Sequence, residues 1–218
     1  MSVSDDTLPA ALARHEIELP PAQIAALERY VARLWDWNSR LNLTRHTTYE
    51  KFVSRDVIDS WQLSQLLEPE ERVLDVGTGG GVPGAVIAIL RPDVRVSLCE
   101  SVGKKANAVE NIVMESGINA KVFHARAEEL VEKDRFDSLL FRAVAPLAKL
   151  LGWFKPHWKN IGRLLVIKGP HWIEERGEAR HFGALANLNL RKRAAYPIVG
   201  TDSESVILEI MPRELTHD

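Results

Sequence analysis

Arg72-Val73-Leu74-Asp75-Val76-Gly77-Thr78-Gly79-Gly80-Gly81-Val82-Pro83-Gly84 sets a short apolar run against a turn of closely spaced glycines. From about Pro83 onward, Ala85, Val86, Ile87, Ala88 and Leu90 supply the apolar residues of a helix. The order is strand, bend, helix. Glycine lacks Cβ, so it accepts positive φ and lets backbone N–H groups press against a ligand, while the helix N-terminus adds unpaired donors and partial positive charge. Such a turn suits a nucleotide-like cofactor, although a tight strand-to-helix turn needs glycines for packing as well.

Further residues favour the ligand reading. Asp75 closes the strand two positions before Gly77, where a carboxylate reaches polar groups of a cofactor. A second apolar strand over 94–99 ends in Glu100, about 20 residues beyond the first glycine. That is where a βαβ nucleotide site places the acid that holds the ribose hydroxyls. No Lys-Ser or Lys-Thr follows the glycines, which disfavours a Walker-type phosphate loop.

The 218 residues, 45% of them hydrophobic, suffice for one substantial domain with an extension. The apolar runs fall short of the ~18 residues that span a membrane, and the first six residues are acidic, so neither membrane insertion nor secretion is indicated. The single cysteine, Cys99, lies inside the second strand and reads as a small buried hydrophobe in a reducing cytoplasm. Net charge is −2, but residues 1–140 carry a balance of −6 and residues 141–200 one of +8. A segregated positive region fits either a polyanion partner or a solvated helix face.

Residues 1–18 are read as loosely ordered, or helical at their end. The first clear helix starts at Pro20-Pro21 and carries Ile24, Leu27, Val31, Leu34 and Leu41; Trp35 and Trp37 near its end are read as packing residues. Thr47 and Glu50 have capping-box spacing, so a second helix begins there, with Phe52, Val53, Val57, Trp61 and Leu66 on its apolar face and Lys51, Arg55, Asp56 and Asp59 elsewhere. Residues 1–70 therefore form a helical extension on a cofactor domain over 71–218. Beyond Glu100, helices alternate with strands over 120–123, 136–141 and 163–168, and a helix runs from His171 to about Leu188. A hairpin over 194–199 and 206–211 closes the chain. This is the pattern of an α/β, mostly parallel, seven-stranded sheet with a terminal antiparallel pair. Ligands of such sheets lie at the carboxyl ends of the strands, where Asp75, Glu100, Ala127, Glu128, Arg142 and Lys168 fall.

Taken in order, Asn42-Leu43-Thr44, Asp59-Ser60, Asp75 to Gly84, Ser101-x-Gly103-Lys104-Lys105, Arg126-x-Glu128-Glu129, Phe136-Asp137 with Arg142-Ala143, and Lys168-Gly169 resemble the bacterial guanine-N7 methyltransferases of 16S ribosomal RNA. This family lies within the class I S-adenosylmethionine (SAM) methyltransferases, with their Rossmann-like fold, and the resemblance covers residues 41–169. It implies SAM as cofactor, contacted around Gly77, Gly79 and Val82, with Glu100 on the ribose, Ala127 and Glu128 near the adenine, and Arg142 at the mouth of the site. It implies 16S ribosomal RNA or the small subunit as partner, in the cytoplasm. One departure stands out: the family usually shows Arg-His where this chain has Arg55-Asp56.

Transfer from a sulfonium to guanine N7 needs no general base, because N7 carries no proton; catalysis is then mostly orientation. The sequence shows no Ser/His/Asp set and no metal-ligand cluster, and His124, His157, His171 and His181 read as surface or packing residues. Arg142 is the candidate catalytic residue, able to hold a cofactor carboxylate or an RNA phosphate by paired bonds. RNA would meet Lys149, Lys155, Lys159, Arg163, Arg176, Arg180 and Arg191 to Arg193, together with Arg40, Arg45, Lys51 and Arg55 of the extension. Three rivals remain: an NAD-dependent oxidoreductase, a SAM methyltransferase of another substrate, and a non-enzymatic RNA-binding protein. Nothing in the sequence demands more than a monomer.

Overall fold

The computed structural model describes residues 6–213. Two helices, α1 (Leu8–Arg14) and α2 (Pro21–Asn38), precede a broken one made of α3 (Tyr49–Lys51), a π-helical segment (Phe52–Val57) and α4 (Ile58–Ser64). The chain then runs β1 (Arg72–Val76), α5 (Gly84–Leu90), β2 (Arg95–Glu100), α6 (Gly103–Glu115), β3 (Lys121–His124), α7 (Ala127–Lys133) and β4 (Phe136–Arg142). After α8 (Leu147–Phe154) and a 3-10 segment (Lys155–Asn160) come β5 (Ile161–Lys168), α9 (Trp172–His181), β6 (Leu188–Pro197) and β7 (Glu204–Pro212).

The seven strands form one sheet in the order β3-β2-β1-β4-β5-β7-β6. Strands β1 to β5 are parallel, and β7 runs antiparallel to both β5 and β6. The strand order turns back beside β1, so its carboxyl end and that of β4 border the crevice in which such sheets hold ligands. Strand alternation divides the core. Val73, Leu98, Leu140, Leu165 and Ile167 face a cluster shared with α1, α2, the broken helix, α5 and α6. Leu74, Val76, Leu139, Phe141, Leu164 and Val166 face the cluster beneath α7, α8 and α9. Asp75 and Arg142 are in step with the first set, so both belong to the face on which the N-terminal helices pack.

Several boundaries differ from the sequence reading. Of residues 1–18, read as loose or helical at their end, residues 8–14 form α1, whose Leu8, Ala11 and Leu12 are buried; residues 1–5 lie outside the described residues. Helix α2 stops at Asn38, leaving Leu41 beyond it. The cap of α3 is Thr48, whose hydroxyl accepts from the Lys51 N–H, while Glu50 bonds Arg14 and His15. Helix α9 ends at His181, before Gly183 at φ 68°, and β6 starts at Leu188 because that stretch pairs along β7 from Pro212 onward.

Arg163 and Arg193, expected to face RNA, belong instead to an internal ion network. Arg163 lies 3.0 Å from Glu71 Oε1 and 2.9 Å from Glu209 Oε1, and Arg193 meets Glu209 at 2.8 Å. Burial raises the Glu209 pKa, but bonds from Arg193 and Arg163 outweigh it and hold it below the ordinary value. Removing the shared cation leaves two buried carboxylates short of a partner. Arg163→Ala should therefore lower unfolding free energy by about 3–5 kcal/mol, read as an earlier urea midpoint.

Candidate active site

The glycine turn is built as its sequence suggests. Gly77, Gly79 and Gly81 take φ of 68°, 58° and 105°, a region closed to most side chains. A Cβ on Gly79 would meet only Gly77 O at 4.0 Å, so this backbone presents an open face. Behind the turn space is filled: a Cβ on Gly80 would lie 2.8 Å from Leu34 Cδ1 and 3.5 Å from Leu43 Cβ. The Tyr30 hydroxyl also donates to Gly80 O at 2.9 Å. The N-terminal helices thus brace the turn from its far side.

Asp75 holds the turn together. Its Oδ2 accepts from the Thr78 hydroxyl at 2.5 Å and from the Gly84 N–H at 2.8 Å, tying strand, bend and helix to one atom. Its Oδ1 is buried without a donor from the protein. Burial pushes the Asp75 carboxyl up to about 6, against the pull of the Thr78 and Gly84 bonds. Glu100, at the end of β2, accepts from Gly79 N–H at 3.2 Å and from Val102 N–H at 2.9 Å. Each of its oxygens retains a lone pair for a hydroxyl donor. Ala127 and Glu128 open α7, whose N-terminus has no side-chain cap. Val82 packs against the core at the edge of the turn.

These features fit SAM. An open glycine face lies beside two acids with spare acceptor capacity, which suits a cationic cofactor bearing ribose hydroxyls. The residues offered for it, Asp75, Gly77, Gly79, Val82, Glu100, Ala127 and Glu128, fall at the ends of β1, β2 and β3. Among the described residues, no group of three or more His, Cys, Asp or Glu is placed to hold a metal.

Arg142 stands at the end of β4, but its guanidinium is engaged by the protein. Its Nη2 meets Asp56 Oδ1 at 2.6 Å and its Nη1 lies 3.5 Å from Asp59 Oδ2. Burial opposes its charge, yet the fields of Asp56 and Asp59 outweigh that and raise its pKa. Asp59 in turn accepts from the Tyr196 hydroxyl of β6 at 2.8 Å. Lys168, expected in the pocket, donates to the Ala145 carbonyl at 2.8 Å and pairs with Glu175 at 2.6 Å. It thereby fixes the loop after β4, where Ala143 takes φ 54° and Val144 packs over Gly77.

Two residues of this cluster lie outside the candidate site residues offered by the sequence. Asp56 is 1% exposed, on the buried face and not off it. The signal was present: Phe52, Asp56 and Ser60 recur every fourth residue and all three are buried. His46, which no sequence motif marked, places Nδ1 2.9 Å from Asp56 Oδ2. An imidazole therefore does stand beside position 56, brought there from another part of the chain. Asn42, Leu43, Thr44, Arg45, His46 and Arg142 line a cavity of about 570 Å³. Of the positive segment, Arg142 lines it, while none of the basic residues on α8, α9 or β6 does.

The protein is a class I SAM-dependent methyltransferase, as its sheet, glycine turn and acids define. Solved structures agree in fold. Fibrillarin of Aeropyrum pernix with natively bound S-adenosyl-L-methionine aligns over 73% of this chain and 76% of its own, with TM-score 0.51 and 13% identity. M. capricolum TrmK in complex with S-adenosyl-homocysteine aligns over 73% and 71%, with TM-score 0.54 and 14% identity. The particular family comes from sequence. Residues 23–193 match the model of the rRNA small subunit methyltransferase G family, and the chain belongs to it. The ribosomal RNA small subunit methyltransferase G of Rhodopirellula baltica is 47% identical over 194 residues, which cover 89% of this chain and 84% of that relative. The protein of the same name from Clostridium novyi is 31% identical over 98% of this chain and 86% of its own length.

The raised Asp75 pKa has a defined sign. The folded protein binds that proton more tightly than the unfolded chain, so the contribution is present at low pH and is lost as pH rises through about 6. Asp75→Asn keeps acceptors for Thr78 and Gly84 and cannot ionise. Its melting temperature without cofactor should gain on wild type as pH rises from about 4 to about 7, by an amount worth on the order of 2–3 kcal/mol. Equal shifts at both ends of that range would refute the assignment.

Proposed function

We propose that this member of the family transfers the methyl group of SAM to N7 of a guanine in 16S ribosomal RNA. The observation that carries the reading is the family match over residues 23–193, which spans both the cofactor turn and the 42–46 loop beside it. When bound, SAM supplies a methyl group on a positively charged sulfonium. Guanine N7 offers a lone pair in the plane of the ring and has no proton to lose, so no side chain need act as a base. The task of the chain is to place the two reactants in line and keep water from between them.

The residues divide accordingly. Gly77, Gly79 and Val82 take the cofactor against the turn, Glu100 its ribose, and Ala127 and Glu128 the adenine side. Arg142, held by Asp56 and Asp59, forms the border between cofactor and RNA, with its remaining N–H donors available at the cavity. The extension, residues 1–70, contributes the wall opposite β4, and residues 71–218 contribute the cofactor site. Arg45 and Arg55 are exposed beside that wall and suit phosphate contacts. The enzyme is read as cytoplasmic, where its ribosomal substrate lies, and as a monomer.

The test is transfer of labelled methyl from SAM to bacterial small ribosomal subunits and to naked 16S RNA, followed by cleavage at N7-methylguanine. Label at a single guanine is expected. Arg142→Lys keeps the charge but loses the planar fork between two carboxylates, and should lower kcat/KM at least ~10-fold. Measurable SAM binding with no label in either substrate would refute the ribosomal assignment.

A further inference from the structure

We propose that the cavity walled by Asn42, Leu43, Thr44, Arg45, His46 and Arg142 receives the target guanine, and that His46, oriented by Asp56, reads its Watson–Crick edge. This inference rests on the function proposed above and names the part of the site that handles the base. At about 570 Å³ the cavity lies within the ~300–1,000 Å³ typical of ligand sites. It also lies at the sheet end that carries the cofactor turn, because Arg142 ends β4, the strand next to β1.

The loop that carries His46 is held at Leu43, Thr44 and His46. Asn38 Oδ1 accepts from the N–H groups of Leu43 at 2.8 Å and Thr44 at 2.9 Å. Thr44 Oγ1 accepts from the His46 N–H at 3.0 Å, and the Trp35 indole donates to the His46 carbonyl at 2.8 Å. The ring is fixed as well, by Asp56 on Nδ1. A carboxylate only accepts, so Nδ1 carries the hydrogen and Nε2 is the ring nitrogen left to accept. No described residue bonds Nε2, and the side chain remains 23% exposed.

A guanine with N7 toward the sulfonium turns its N1–H and 2-amino group to the opposite side. Both are donors, and Nε2 is an acceptor. Adenine has an acceptor at N1 and would leave two lone pairs facing each other, so the pairing discriminates between the purines. It also assists the reaction. The S–CH3 bond breaks with its electrons left on sulfur, the N7 lone pair forms the new N–C bond, and the positive charge passes to the base. No proton has to leave. That charge strengthens N1–H as a donor, so the bond to Nε2 is stronger after transfer begins than before. Behind His46, Asp56 and Asp59 share the guanidinium of Arg142, so the ring is backed by a paired, fixed cluster.

The test compares two variants of one position with wild type in methyl transfer to small subunits. The side chain of Asn mimics the Nδ1 side of histidine, and that of Gln reaches the Nε2 position with a carbonyl acceptor. His46→Asn should lower kcat/KM for the subunit ~30-fold or more, and His46→Gln several-fold less, with SAM affinity by calorimetry unchanged in both. Asp56→Asn should fall with His46→Asn, since an amide lets the ring turn its lone pair to Nδ1. Equal rates for the two His46 variants, or a loss matched by weaker SAM binding, would overturn the assignment while leaving the methylation reading intact. Absence of label with the wild-type protein would overturn both.

Discussion

A guanidinium removed from water has to be paired, and in this protein the pairing of Arg142 connects everything that faces the substrate. Its partners come from elsewhere in the chain: Asp56 from the π-helical segment and Asp59 from α4. Through Asp59 the cluster reaches Tyr196 on β6, and through Asp56 it reaches His46 in the loop before α3. Residues 46–59 and Tyr196 are thereby joined to the end of β4. Loss of one member of such a cluster leaves buried charge uncompensated, which is why its geometry is tightly held. The π-helical segment lies at this place, as irregular helical turns often do beside functional groups.

The cofactor side follows a different logic, in which local backbone does most of the work. Three glycines with positive φ shape the turn and leave the Gly79 side open, and Asp75 clamps the turn with one oxygen. The other oxygen is buried without a donor, so the clamp carries a desolvation cost in the free protein. A cationic cofactor relieves such a cost. The loop after β4 closes over the turn with Val144 against Gly77, and the bonds of Lys168 and Glu175 keep it there. Strain at Ala143 is thus offset by contacts outside the site itself.

Charge along the chain proved a poor guide to charge in space. Arg163 and Arg193 lie in the segment with the positive balance but neutralise Glu71 and Glu209 inside the fold. Lys149 and Arg176 stand over Trp153 and Trp172 on the helices of the opposite face. Net charge sums over every partner, and a sequence count does not show which cations are already paired.

The sequence by itself determined the strand-glycine-helix turn, the alternation that makes a mostly parallel sheet, and the acids at the ends of β1 and β2. These depend on interactions between near neighbours, such as φ tolerance, strand period and the distance from one strand end to the next. It also carried the family resemblance, which the matching of residues 23–193 bore out. It misplaced the start of β6, because a residue in a hairpin is settled by its partner across the sheet and not by its own propensity. The burial of Asp56 is legible in the four-residue spacing it shares with Phe52 and Ser60, although its charge points the other way. His46 was not legible at all: only tertiary packing brings its ring to Asp56, since hydrogen bonding between side chains depends on distance in space, which a one-dimensional pattern does not contain.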